Sequence, residues 1–487
     1  MAGVIGIYSK DATYNEKLNE WFNAGVKGYF MLMQTQHRGQ ANWGMVSAGD
    51  RSMRKSVAPG LVSATFTREA RDAFIHPDDY AMVGHIGDKN VKEDGIAPIH
   101  VNKKELRYEV ATAIDGAISS NGMLEGNIRF QPNNTFYAAI FSNYMENYNN
   151  VEEACLKTAD ELGPGYYSMV GVVHDKVGQR SQLVAFRNRR GVKPMYMGRS
   201  ESGIFVSSES GAIDVVSSFD KLIECRDVVP GEVLTMDMDG YRQRQIQEPK
   251  RSHCAFEWVY TSRHDAVMEG ITSHMVRKKL GHLLVELYGI KDDGNSVVIG
   301  VPDSGRSVAI GIHEASGIPI DEGLIKNQYI GRTYDIDNKV ERIEAALLKH
   351  NPINAVIKGK KVHVGEDSIV RGTISDATAH LLKEGDAHAR VIKEGGAKYV
   401  TWWISYAPIF DPCFSDSKDK ELAAKPFQNK ADVRKVGESV AKELEYIDMV
   451  YFNTPENVIK AIGLPEDQLC TFCITGKNPF KQPVKVA

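Results

Sequence analysis

Along the first half of the chain, short apolar runs alternate with turn signals. Gly3–Tyr8, Tyr80–His85, Tyr166–Val173, Gln182–Phe186, Gly203–Ser207 and Val233–Met238 each read as a strand. Val151–Leu162 reads as a helix between them. This texture predicts stacked sheets with helices outside. The polar stretch Gln247-Glu248-Pro249-Lys250-Arg251-Ser252 reads as a linker or crossover. It divides the chain into residues 1–250 and 251–487.

Beyond the linker the pattern changes. Ser296–Gly300 is a short apolar strand, Pro302-Asp303-Ser304-Gly305-Arg306 a polar turn, and a helix follows to about Ala315. Lys361–Gly365 is the next strand, Glu366–Thr373 a loop, and a helix runs on from Ser375. Tyr399–Ser405 reads as a further strand. Strand, loop and helix in alternation predict an α/β domain with a parallel sheet and its working loops at the strand C-ends.

Composition narrows the class. The 487 residues suit two or three domains. A net charge of −4 leaves no electrostatic footprint for nucleic acid or an anionic membrane. No run of eighteen apolar residues predicts a membrane span, and the first residues do not read as a signal peptide. Six cysteines in a chain this long read as cytoplasmic thiols or metal ligands, not as a disulfide scaffold.

The loop Glu366–Thr373 carries the clearest chemistry. Two adjacent carboxylates end a strand, and a helix opens after Ser368, Ile369, Val370, Arg371, Gly372 and Thr373. Glu366 and Asp367 can accept from ribose hydroxyls. Backbone N–H groups at the helix start, with Ser368, Thr373 and Ser375, suit a 5′-phosphate. Gly372 lets the backbone approach the ligand closely. A strand-to-helix turn capped by Asp and Ser is the plainer alternative. Val301–Arg306 is a second element: a turn between strand and helix can cradle pyrophosphate through Ser304 and Gly305, and Ser304 can reach a magnesium ion.

These residues resemble the glutamine phosphoribosylpyrophosphate amidotransferase (amidophosphoribosyltransferase) family. The resemblance runs through Gln36-His37-Arg38-Gly39-Gln40, Ser208-Glu209-Ser210, Pro230-Gly231-Glu232, Phe256-Glu257-Trp258-Val259-Tyr260, Gly323–Asn327, Gly331-Arg332-Thr333 and Asp367–Thr373. It implies an α+β N-terminal-nucleophile-type four-layer sandwich, the class II glutamine amidotransferase fold, followed by an α/β type I phosphoribosyltransferase domain. It implies that Ser304, Glu366 and Asp367 hold magnesium and that Ser368–Thr373 bind the ribose phosphate. Lys326, Arg332 and Arg342 would neutralise the pyrophosphate. The family has Asp-Asp where this chain has Glu366-Asp367, and the carboxylate chemistry survives that change.

The glutaminase half departs from the family. Its nucleophile is a cysteine after the initiator methionine; this chain has Ala2, and a methyl group cannot attack an amide. A Gly-His-Val-Arg string that grips the glutamine carboxylate reads Gly84-His85-Ile86-Gly87. A His-Asn-Gly-Asn string reads Ser120-Asn121-Gly122-Met123, which keeps the oxyanion pair, and an ammonium-binding aspartate reads Asn134. The expectation is a chain that does not hydrolyse glutamine. The lid also drifts, with Tyr334, Asp335, Asp337 and Lys339 after Thr333. The helix after the acidic loop reads as roughly three turns longer than the family's, with Glu384–His388 as a solvated face in the extra part.

Some family members carry a 4Fe-4S cluster. Cys254 precedes Phe256-Glu257, Cys413 lies in Pro412-Cys413-Phe414, and Cys470 and Cys473 form a C-x-x-C, so all four ligand positions match. Zinc on the same thiolates is the rival, and buried inert thiols the plain alternative. Cys155 and Cys225 read as ordinary thiols.

The resulting expectation is a phosphoribosyltransferase that uses 5-phosphoribosyl 1-pyrophosphate (PRPP) and magnesium. An unidentified small nucleophile, such as ammonia, displaces pyrophosphate. A non-catalytic subunit that binds PRPP or a nucleotide is the alternative. By family analogy the chain is a homo-oligomer.

Overall fold

The computed structural model describes residues 2–10, 12–15, 20–88, 91–119, 130–131, 134–163, 165–329, 339–387, 389, 395–413, 421–430 and 432–480. The chain forms two compact units. One comprises Met1–His253 with Ala266–Gly270, the other Cys254–Asp265 with Ile271–Ala487. Among the described residues no helix is long and apolar enough to cross a membrane.

The first unit is built on two seven-stranded sheets. In one, the strand Ala2–Ser9 lies between Ala81–Gly87 and Gly203–Ser207, antiparallel to both. In the other, Gly165–Asp175 lies between Tyr108–Ser119 and Arg180–Arg187. The alternation of side chains along each strand sorts them into layers. Val4, Val46 and Val83 of the first sheet meet Ala113, Val170 and Leu183 of the second in one buried cluster. The odd-numbered neighbours Ile5, Ile7 and Met45 face outward onto Met31 and Leu32 of the helix Ala24–Thr35. On the far side, Ile114, Met169 and Phe186 pack on Tyr137 and Phe141 of the helix Asn134–Tyr148 and on Ala154 of Val151–Leu162. The result is four layers, helix–sheet–sheet–helix. Each fully buried Val, Leu or Ile contributes about 1.5–3 kcal/mol.

The second unit has a four-stranded sheet in the order Ser296–Gly300, Lys361–Glu366, Tyr399–Ile404, Met449–Phe452. Every neighbouring pair is parallel. Val297, Ile299, Val364 and Trp402 face one side, against helices that include Thr373–Glu384 and Val433–Glu443. Val298 and Trp403 face the other, against Ser273–Tyr288 and Gly305–Ser316. Helices on both faces explain why these strands are continuous apolar runs.

The expectation of a longer helix after the acidic loop does not hold as drawn. The helix Thr373–Glu384 ends because Gly385 takes φ 77°. Gly385 is buried, and the Asp386 carboxylate accepts the Ala389 amide at 2.9 Å. One helix therefore ends at Glu384, and Ala387 stands in the helical backbone that resumes after Asp386; His388 lies outside the described residues.

Candidate functional site

The site of the second unit forms where strands end. Gly300 and Gly365 are register partners, so the loops that follow them leave the sheet side by side. Gly305 begins the helix after the first loop, and a Cβ there would stand 2.1 Å from the Gly365 carbonyl oxygen. Only a glycine allows that approach. The approach lets the Ser304 hydroxyl donate to the Asp367 carboxylate. The Ser368 hydroxyl donates to the other oxygen of the same carboxylate at 2.6 Å.

The next strand end fixes the acidic pair from behind. The Ser405 amide donates to the Glu366 carbonyl at 3.0 Å, and the Tyr406 amide to the Asp367 carbonyl at 3.0 Å. Burial and the neighbouring Asp367 charge push the Glu366 carboxyl well above its ordinary value. Burial raises Asp367 too, against the opposing hydrogen bonds from Ser304 and Ser368. Two crowded carboxylates beside a serine hydroxyl are a donor set that favours a hard cation.

The loop then turns into a helix. Ile369 is buried, and the Val370 carbonyl accepts the Ala423 amide at 2.8 Å. Gly372 takes φ 80° at the N-cap, a conformation other residues rarely adopt, and Thr373 opens the helix. Arg371 and Val370 are partly exposed. The first amides of the helix Thr373–Glu384 point back along the loop, as an anion site requires.

Lys326 ends the strand Leu324–Lys326, and its Nζ donates to Asp303 Oδ2 at 2.6 Å. The structure thus joins Ser304 with Asp367 and Lys326 with Asp303 at one sheet edge. Arg332 lies outside the described residues, as do Tyr334, Asp335 and Asp337. Arg342 belongs to the helix Lys339–Lys349, but its side chain is outside the described set.

Sequence reasoning missed Arg277. This arginine is buried in Ser273–Tyr288 and donates to the Trp258 and Ser262 carbonyls at 2.9 and 2.7 Å. Its charge also opposes the rise of the Asp367 carboxyl. A helical arginine normally reads as a solvated residue, so its spacing carried no signal.

The cysteine-bearing segments converge. The short strand that ends at Cys254 pairs with Leu469–Cys470. Cys473 lies in the turn Phe472–Thr475, and its carbonyl accepts the Phe410 amide at 2.9 Å, three residues before Cys413. The Tyr406 hydroxyl meets Cys473 Sγ at 3.3 Å. Burial raises the Cys473 thiol, and Cys254 and Cys413 push it the same way. Among the described residues, however, no group of three or more His, Cys, Asp or Glu side chains stands ready to hold a metal ion. Cys155 is buried and Cys225 exposed.

In the first unit, Ala2 and Gly87 are register partners. Around them lies a buried charge network. Arg38 donates to the Ala2 carbonyl at 2.8 Å, to Glu209 at 2.7 Å and to Asp115 at 2.8 Å. His37 meets the same Glu209 oxygen at 2.8 Å. Burial raises the Glu209 carboxyl, but His37 and Arg38 outweigh it and hold the group down at about 2. Burial lowers His85 to about 4. Asn134 accepts the Ile114 amide at 2.8 Å, which ties the start of its helix to the strand Tyr108–Ser119. Ser120, Asn121, Gly122 and Met123 lie outside the described residues.

No family model matches the chain. It is 30% identical over 508 residues to the amidophosphoribosyltransferase of Methanocaldococcus jannaschii, covering 98% of each chain. It is 29% identical over 500 residues to the amidophosphoribosyltransferase of Methanothermobacter thermautotrophicus, covering 100% of this chain and 96% of that one. Among solved structures it is similar to glutamine PRPP amidotransferase from B. subtilis complexed with ADP and GMP. That match has a TM-score of 0.76 and 26% identity, and covers 98% of this chain and 97% of that one. Both expected folds, the N-terminal-nucleophile-type sandwich and the type I phosphoribosyltransferase domain, are present.

Proposed function

Given that this chain belongs to the amidophosphoribosyltransferase family and is a pentosyltransferase, we propose that it transfers phosphoribosyl from PRPP to ammonia or another small nucleophile without hydrolysing glutamine. The observation that carries the transferase assignment is the bond from Ser304 to Asp367, which joins the two ligand loops at one sheet edge. Glu366 and Asp367 accept from the ribose hydroxyls, and the amides of residues 368–373 hold the 5′-phosphate. Lys326, with Arg332 and Arg342, draws in the pyrophosphate. Ser304, Glu366 and Asp367 would hold magnesium, which supplies charge neutralisation for the leaving group when bound.

The nucleophile's lone pair forms a bond to C1 as the C1–oxygen bond breaks, and pyrophosphate departs with that electron pair. The excess proton on the new amine passes to solvent, so no general base is assigned. The chain's contribution is to orient the sugar and exclude water, with Lys326–Arg342 as the lid. With ammonia as acceptor, the product is the phosphoribosylamine that opens purine synthesis. We also propose, by family analogy, a cytoplasmic homo-oligomer.

Cys254, Cys413, Cys470 and Cys473 are proposed to hold a 4Fe-4S cluster. Their number and softness suit it, and their three segments lie together. Such a group would tie those segments to one another.

Anaerobically purified protein tests the proposal. Pyrophosphate release from PRPP and magnesium is followed with glutamine, with ammonium, and with neither. Release with ammonium alone is expected. Glutamine-dependent release overturns the reading of Ala2 and Gly87, and absence of PRPP binding overturns the transferase assignment.

A further inference from the structure

One buried histidine stands between the two ends of the site, and the reaction described above does not use it. The strand His350–Pro352 pairs antiparallel with Leu324–Lys326, and His350 is the register partner of Lys326. Backbone bonds close this ladder at both ends. The Asn327 amide donates to the Lys349 carbonyl at 2.7 Å, and the Ile353 amide to the Gly323 carbonyl at 3.0 Å. Lys326 reaches the first ligand loop through Asp303. In the other direction, His350 Nδ1 lies 3.1 Å from Thr378 Oγ1, in the helix Thr373–Glu384 that follows the acidic loop. His350 and Thr378 are both buried.

Proton accounting fixes the direction of that contact. The Thr378 hydroxyl has one proton. The Ile374 carbonyl, which can only accept, takes it at 2.8 Å. His350 Nδ1 must therefore donate to Thr378. Burial, with the Lys349 and Lys326 charges, lowers the ring to about 4, so near neutrality it carries a single N–H. Nε2 is then an acceptor, and it is buried with no hydrogen-bond partner among the described residues. The net gain from one neutral hydrogen bond does not exceed the cost of an unmet buried acceptor. A leucine would fill a similar volume and bring no such nitrogen. Stability alone gives no account of a histidine here.

What the bond does supply is a fixed distance. PRPP has to be held at two places at once: its pyrophosphate beside Lys326 and its 5′-phosphate at the start of Thr373–Glu384. These belong to separate segments of the chain. The His350–Thr378 bond ties the ladder that carries Lys326 to the helix that carries the phosphate site.

We propose that His350 is a positioning residue that, by donating to Thr378, sets the spacing between the pyrophosphate and 5′-phosphate ends of the site. The inference rests on the assignment of both loops to PRPP. The test uses full-length parent protein and the variants H350L, H350N, T378V and H350L/T378V. KM for PRPP and kcat with ammonium are measured, along with Tm. Calorimetry with magnesium gives Kd for PRPP, and separately for pyrophosphate and for ribose 5-phosphate. Each fragment engages one end and does not sense the spacing, whereas PRPP spans both ends.

H350L is expected to raise KM and Kd for PRPP about fivefold, with kcat and both fragment affinities within about twofold of the parent and no fall in Tm. Asn carries an amide N–H close to the place of Nδ1, so H350N is expected to restore KM to within about twofold. H350L and T378V remove the same bond, so the double variant is expected to lose no more than about twofold beyond H350L. A KM for H350L within about twofold of the parent overturns the proposal. So do fragment affinities that fall as far as that for PRPP, which mark local damage, and additive losses in the double variant. If H350L does not fold, an unchanged KM in T378V overturns it. A parent that binds neither PRPP nor ribose 5-phosphate overturns the loop assignment itself, and the inference with it.

Discussion

Ala2 faces Gly87 across the antiparallel pair Ala2–Ser9 and Ala81–Gly87, in direct register. By resemblance, one position should hold a nucleophile and the other should lead to a carboxylate clamp. Here they present a methyl group and no side chain. Restoring one partner should therefore not restore the chemistry. A2C is expected to release glutamate from glutamine at less than about 1% of the ammonium-dependent rate. A coupled glutamate assay measures this. An arginine at position 87 would also have to displace Asn42, whose Oδ1 lies 2.5 Å from where a Cβ would stand. Appreciable glutamate release by A2C alone would show that the clamp is dispensable.

Glu209 gives the first unit an acid-sensitive component. Its carboxyl is held at about 2. An unfolded glutamate titrates near about 4.3. The stabilisation is present above the unfolded value and is lost as pH falls towards the folded one. It should be on the order of 3 kcal/mol. Urea unfolding at pH 7, 5 and 3 should reveal the fall, and E209Q should flatten it while lowering stability at pH 7. An unaltered pH profile in E209Q would contradict this.

Glu366 works in the opposite sense. Its folded carboxyl is raised, so the group favours the folded protein at low pH. That contribution disappears as pH rises from the unfolded value through the folded one. At pH 7 the ligand-free protein bears the cost of the buried, crowded pair. E366Q should raise the ligand-free Tm by about 2–4 °C and weaken PRPP binding at least about tenfold. Thermal melts with and without PRPP and magnesium test both parts. A lower ligand-free Tm in E366Q would mean that the pair is not strained.

The thiols predict a stoichiometry. Protein isolated without oxygen should contain about four iron and four sulfide per chain. C473S should lose the visible absorbance and the iron together. About one zinc per chain, without sulfide, would support the rival tetrathiolate site.

The parallel sheet of the second unit is the most legible part of the sequence. Ser296–Gly300 has the bounds that its apolar run predicts, because burial on both faces leaves that run uninterrupted. The acidic loop was legible for a similar reason: its chemistry is contiguous in the chain. The helix after it was read too long, since helical periodicity does not record that Gly385 turns left-handed. Arg38 was legible as part of a string, but its bonds to Asp115 and Glu209 exist only once the strands are stacked.

Arg38 is the shared partner of Asp115 and Glu209, and all three are buried. Removing it takes the guanidinium from both carboxylates at once, at about 3–5 kcal/mol. A single step at Arg38 is therefore costly, whatever the surrounding pocket does. A catalytic domain of this kind keeps its interior for as long as it must fold. Its likeness to relatives then measures what folding forbids, not which reactions it runs.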